Sequence, residues 1–181
     1  VLPAEVDERL MPGEHPQVAA ERLAEAKAHA IGRRVKQAVV LGADTVVAVA
    51  DAAGSFQILG KPVDEEDARA MLRKLQGREH LVVTAFSVVC AAASFVLTRS
   101  HSARVWMRML SEKDISAYTA TGEPMDKAGA YAVQGIGRML VLSIDGSYTG
   151  VMGLPLAEVV VELERLNLWR PEMLAKVRFA L

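Results

Sequence analysis

Apolar positions recur at helical spacing most clearly in residues 64–76, where Ala68, Met71, Leu72 and Leu75 fall at i, i+3, i+4 and i+7. Asp64 is placed to cap that helix, Glu65, Glu66 and Asp67 suit its positive N-terminal end, and Gly77 ends it. Its acids are thereby explained structurally. A second helix is predicted to start between Gly13 and Pro16, with Pro16 at the first position. Its adjoining faces carry Val18, Arg22, Ala26 and Leu23, Lys27, Ala30, so Lys27 sits beside the apolar stripe, where a long side chain reaches past the core edge. Ser111, with Asp114 three residues on, forms a capping box for a short helix ending at Gly122. Pro155 opens a last amphipathic helix through Leu163.

Elsewhere the pattern shortens to strand-like runs rich in Val, Thr and Ala. Residues 39–49 predict strand, kink at Asp44, strand, and 80–90 with 94–109 predict a long hairpin. Residues 81–98 are uncharged and about as long as a minimal membrane span, but β-branched residues and a central Ala-Ala-Ala-Ser favour two buried strands. Residues 138–144 predict another strand, and Asp145-Gly146 is a hairpin-type turn signal. Residues 1–11 are short, acidic and loop-like. There is no internal repeat and no linker, so 1–181 is expected to form a single α/β domain.

Composition narrows the partners. Twenty-one basic and 22 acidic residues give a net charge of −1, no footprint for nucleic acid or an anionic membrane. An anionic ligand must therefore be met by a local cluster of cations. The single Cys90 rules out an intramolecular disulfide, and the acidic N-terminal stretch has no leader-like apolar segment. A cytoplasmic location is the expectation.

Candidate chemistry gathers around Asp44, an acid among strand-forming apolar neighbours. Asp is depleted in strands, and burying its charge costs several kcal/mol, roughly, unless something compensates. Asp44 either caps backbone N–H groups at a strand end, or faces a pocket holding a metal ion or a water to be activated. Asp7, Glu8 and Asp44 are candidate oxygen ligands for a divalent cation, and Lys27, Lys61 and Lys127 candidate phosphate partners. Residues 125–137, MDKAGAYAVQGIG, form a Gly-rich loop in which Gln134 can hydrogen-bond a base edge. Together these suggest metal-assisted hydrolysis of a nucleotide phosphate.

The motifs GADTVV (42–47), ILGKP (58–62), RKLQGREH (73–80), LSEKDISAY (110–118), TGEPMDKAGAYAVQG (121–135) and GLP (153–155) occur in an order that resembles the Maf nucleoside triphosphate pyrophosphatases. The resemblance implies an α/β fold with a mixed sheet, flanking helices and two lobes around a cleft, similar to inosine triphosphate pyrophosphatases. It implies Asp44 as proton acceptor for water attacking the α-phosphate, with Asp7 and, as helper, Glu8 sharing metal or water binding. Lys27 and Lys61 would contact phosphates, and Thr45 and Gln134 would help select the base. The DKAGAY form resembles the branch acting on dTTP and UTP. Mg²⁺ or Mn²⁺ as cofactor and a homodimer are further implications. Nothing in residues 1–11 matches the family's opening strand and Ser/Arg-rich loop, and Tyr131-Ala132-Val133 and Tyr148-Thr149-Gly150 depart mildly from its usual residues. The alternative expectation is a catalytically weak nucleotide-binding regulator of septum formation acting through a protein partner.

Overall fold

A computed structural model describes residues 2–35 and 37–172. Helix α1 (Pro16–Gly32) begins with Pro16 at its first position, capped by the His15 ring, which accepts from the Gln17 amide at 3.3 Å. Its buried stripe is Ala19, Ala20, Leu23, Ala24, Ala28 and Ile31, whereas Val18 is exposed. A stripe this rich in Ala lets the helix lie close to whatever it covers.

It covers a five-stranded sheet. Strand β1 (Val39–Ala50) turns through Asp51–Ser55 into β2 (Phe56–Leu59). Helix α2 (Glu65–Leu75), capped by Asp64, leads to β3 (Glu79–Cys90), and a 3₁₀ turn at Ala91–Ala93 returns the chain as β4 (Phe95–Met107). Helix α3 (Glu112–Thr119) carries the Ser111–Asp114 capping box. Three 3₁₀ turns, Glu123–Asp126, Ala128–Ala130 and Gly137–Leu140, precede β5 (Val141–Asp145). Helices α4 (Tyr148–Val151) and α5 (Leu156–Arg165) follow.

The sheet order is β2-β1-β3-β4-β5. The α/β content and flanking helices are as the sequence predicts. A mixed sheet is not: every pairing among the described residues is antiparallel. The β1–β2 and β3–β4 connections are too short for a parallel crossover, which needs a dozen residues or more, roughly. Three local expectations are corrected as well. β1 pairs with β3 without a break from Val39↔Cys90 to Ala48↔Leu81, so there is no kink at Asp44, which stands opposite Ala85. The last strand begins only at Val141, because Gly137–Leu140 is 3₁₀. Asp145-Gly146 does not open a hairpin, since Gly146, at φ +127°, passes against Ala103 and leads into α4.

Side-chain alternation splits the core between the two faces of the sheet. On one face Val46, Val83 and Ala85 meet Ala19, Ala20 and Ala24 of α1. On the other, Val47 and Val82 join a large cluster with Leu72 of α2, Tyr118 of α3 and Tyr131 of the Gly-rich loop. Farther along that same face Ala43, Phe86 and Val88 meet Val159 of α5. Two lobes thus stand on one face, and the sheet between them, at Thr45, is the floor of a cleft.

Candidate active site

The cleft has an accessible volume of about 470 Å³ and draws its walls from α1, β1, the chain after β2, the Gly-rich loop and the segment after α4. Its position follows from the strand lengths. β2 reaches only as far as Val47, so the edge of β1 from Asp44 to Val46 has a neighbour on one side only. At that open edge both faces of β1 are reachable from a single cavity.

On the α1 face lies a chain of charges. Asp44 is hydrogen-bonded to the Lys27 ammonium, which also lies 2.7 Å from Glu8 Oε1, and Glu8 Oε2 accepts from Lys61 Nζ at 2.9 Å. Burial pushes the Asp44 carboxyl above its ordinary range although Lys27 opposes the shift. Glu8 is held below its ordinary range by the hydrogen bonds from Lys27 and Lys61. Burial alone would lower the Lys27 ammonium, but Asp44 and Glu8 outweigh it and keep the group charged. Lys27 comes this close because Gly42, two residues before Asp44, has no side chain. A Cβ there would stand 2.6 Å from both Ala24 O and Ala28 N of α1.

The other half of the cleft is apolar. Val47, Val82, Tyr131, Val133, Val151 and Met152 line it, with Thr45 on the floor. The Gly-rich loop forms its wall and is fixed from behind. Gly129, at φ +69°, lies where a Cβ would be 2.8 Å from Val47 Cγ1, and its amide donates to Gly60 O at 3.0 Å. Glu123 accepts from the amides of Ile136 at 2.9 Å and Gly137 at 2.7 Å. The Tyr118 hydroxyl accepts from the Ala132 amide at 3.1 Å. Tyr131 is anchored by buried His80, 2.7 Å from its hydroxyl.

The structure therefore brings together Asp44, Lys27, Glu8, Lys61, Thr45, Gln134 and Lys127. Gln134 Nε2 points at Met152 Sδ, 3.3 Å away, and Lys127 is paired with Asp126 at the rim. Asp7 is not with them. It is exposed, clasped by its neighbour Arg9, and lines a separate groove beside Arg22 and Glu25. Adjacent side chains of an irregular segment diverge, so only one of Asp7 and Glu8 can face the cleft, and Glu8 does. Among the described residues no group of three or more His, Cys, Asp or Glu side chains gathers as a metal site. Glu8 and Asp44 do converge on one cation, the Lys27 ammonium, and two carboxylates completed by phosphate oxygens and water suit a hard divalent ion. Glu123, Tyr118 and His80 lie inside the motifs at 121–135, 110–118 and 73–80, but nothing in those motifs marks them as supports of the Gly-rich loop; only its density of glycines hinted that something must hold it.

A carboxylate with two lysines beside an apolar chamber defines an α/β protein with a site for an anionic group on a flat, weakly polar body. The chain belongs to the Maf-like protein family, whose description matches residues 1–166. It is 46% identical over 167 residues to a dTTP/UTP pyrophosphatase of Geobacter sulfurreducens, covering 92% of this chain and 85% of that protein. It is 44% identical over 169 residues to one of Aquifex aeolicus, covering 93% and 84%. A dTTP/UTP pyrophosphatase of Nitratidesulfovibrio vulgaris is 46% identical over 165 residues, covering 91% of this chain and 76% of that protein.

Proposed function

We propose that the chain is a nucleoside triphosphate pyrophosphatase that hydrolyses dTTP and UTP to the monophosphate and pyrophosphate. The observation that carries this reading is the division of one cleft by strand β1. Asp44, Lys27 and Lys61 stand on one side and the apolar chamber floored by Thr45 on the other. The triphosphate lies along the charged side and the base enters the chamber.

Asp44 takes a proton from water as the water oxygen attacks the α-phosphorus. The bond from the α-phosphorus to the bridging oxygen breaks and pyrophosphate leaves. Lys27 and Lys61 neutralise phosphate oxygens as charge shifts toward the leaving group, and Lys127 adds a cation at the rim. Glu8 holds the two lysines apart at the spacing seen here. Asp44 and Glu8 are the residues that would hold Mg²⁺ or Mn²⁺, which when bound supplies further charge neutralisation at the phosphates. Gln134 reads a base edge from the loop.

The homodimer is supported by the edge of the sheet at β5, where Leu142 is 65% exposed, with Met139 of the preceding 3₁₀ turn 50% exposed and Trp106 of β4 half-exposed beside it. We place the reaction in the cytoplasm, in keeping with the free Cys90; among the described residues no helix is long and apolar enough to cross a membrane.

The test is hydrolysis of dTTP, UTP, CTP and a modified purine triphosphate in ¹⁸O water with Mg²⁺. Label in the nucleoside monophosphate and none in pyrophosphate is expected. Label in inorganic phosphate, or tight binding without turnover, contradicts it, the latter in favour of a binding regulator.

A further inference from the structure

The apolar chamber contains one polar group whose donor and acceptor sense is fixed by what lies beneath it. Thr84, 1% exposed, stands directly across β1–β3 from Thr45. Its hydroxyl donates to the carbonyl oxygen of Gly150 in α4 at 2.7 Å, and a carbonyl can only accept. A hydroxyl has one hydrogen. In the 2.8 Å contact between Thr84 Oγ1 and Thr45 Oγ1, the donor must therefore be Thr45. Both hydrogens point inward, and Thr45 offers the cleft only lone pairs.

Building on the pyrophosphatase reading, we infer that Thr84 is a positioning residue that makes Thr45 an obligatory acceptor, so that the chamber selects a base carrying an N–H at that point: the N3–H imide of uracil or thymine. Cytosine presents a bare lone pair at N3, and two acceptors facing each other leave both unsatisfied. A sugar hydroxyl is also a donor, but Thr45 shares its face of β1 with Val47, and Val82 stands on the same side of β3. Those surroundings suit the flat base. The charged groups that suit the sugar-phosphate end lie on the opposite side of the strand. Val at position 84 would keep the shape, remove the acceptor for Thr45, and leave the Thr45 hydroxyl free to turn and donate.

The experiment measures dissociation constants by calorimetry for four non-hydrolysable ligands: α,β-imido-UTP, its N3-methyl derivative, its 3′-deoxy derivative and α,β-imido-CTP. The wild-type protein is expected to bind the N3-methyl and CTP analogues at least about tenfold more weakly than the UTP analogue, with the 3′-deoxy analogue little changed. Thr84→Val is expected to narrow the UTP-to-CTP gap several-fold, and Thr84→Ser, which keeps the hydroxyl chain, to retain it. If Thr84→Val does not fold, Thr45→Val takes its place and should collapse the same gap. Equal wild-type binding of the UTP and N3-methyl analogues overturns the inference, as does an unchanged gap in the folded valine variant or a loss confined to the 3′-deoxy analogue. Turnover of UTP with no base discrimination sinks this inference alone. Absence of both binding and turnover sinks the pyrophosphatase reading together with it.

Discussion

Replacing Gly42 by alanine probes how the fold builds the charged half of the cleft. The new Cβ would lie 2.6 Å from Ala24 O and Ala28 N and 2.9 Å from Ala28 Cβ, against about 3.4 Å for ordinary contact. The shortfall is about 0.8 Å, and two of the three atoms are helix backbone, which cannot turn aside as a side-chain tip can. The helix must move off the strand as a body, carrying Lys27 away from Asp44. Overpacking of this kind costs about 1–3 kcal/mol, and the loss of glycine's freedom in the unfolded chain returns roughly 0.5–1 kcal/mol. The net effect is about 1–2 kcal/mol of destabilisation, a fall in Tm of roughly 2–8 °C for a chain of this size. Displacement near 1 Å at reacting groups costs up to about 10²-fold in rate, so kcat/KM should drop between about tenfold and a hundredfold. Scanning calorimetry and a pyrophosphate-release assay read the two effects. Gly32→Ala, in the same helix, is the control, since its Cβ would meet only Val89 Cγ1 at 3.3 Å. A Gly42→Ala protein with wild-type Tm and wild-type kcat/KM would refute the reasoning that this close approach sets the Lys27–Asp44 pair.

Two further outcomes follow from groups behind the cleft. Burial lowers the His80 pKa from 6.5 to about 4, so the unfolded chain takes up that proton first and stability falls as pH drops from 6.5 toward 4. At pH 5 the loss from this group is about 2 kcal/mol relative to pH 7.5, and denaturant titrations should show a flatter pH dependence by that amount in His80→Gln; parallel curves would contradict it. Glu123→Ala removes the acceptor of the Ile136 and Gly137 amides and should lower stability by about 2 kcal/mol. It should also raise KM for UTP more than it lowers kcat, because the loop bearing Gln134 loses its hold while Asp44 and Lys27 stay in place; steady-state kinetics with an unchanged KM would refute the anchoring role.

What the sequence made legible was mostly local. The Asp64 cap, the Ser111–Asp114 box, Pro16 at the start of α1 and the 3.6-residue stripe of α2 are each decided within a few residues, and each forms. Asp44 misled because a lone acid in a strand looks like an interruption. It is accommodated by Lys27 from a helix 17 residues earlier, so the strand runs on undisturbed. Asp7 and Glu8 are equivalent as letters; Arg9 clasps one and leaves the other to the lysines. Asp145-Gly146 has the chemistry of a tight turn, but Gly146 is needed for close passage over Ala103. The supports of the Gly-rich loop, Glu123, Tyr118 and His80, act on backbone amides and a buried ring, contacts that leave no spacing to detect.

The central claim is that Asp44 takes the proton from the attacking water. Single-turnover release of pyrophosphate from UTP by the wild-type protein and by Asp44→Asn tests it most directly, with α,β-imido-UTP binding measured on both. The account predicts loss of about 10²- to 10⁴-fold in the chemical step with analogue binding retained. Pyrophosphate release by Asp44→Asn within about twofold of wild type, far short of that loss, would contradict it.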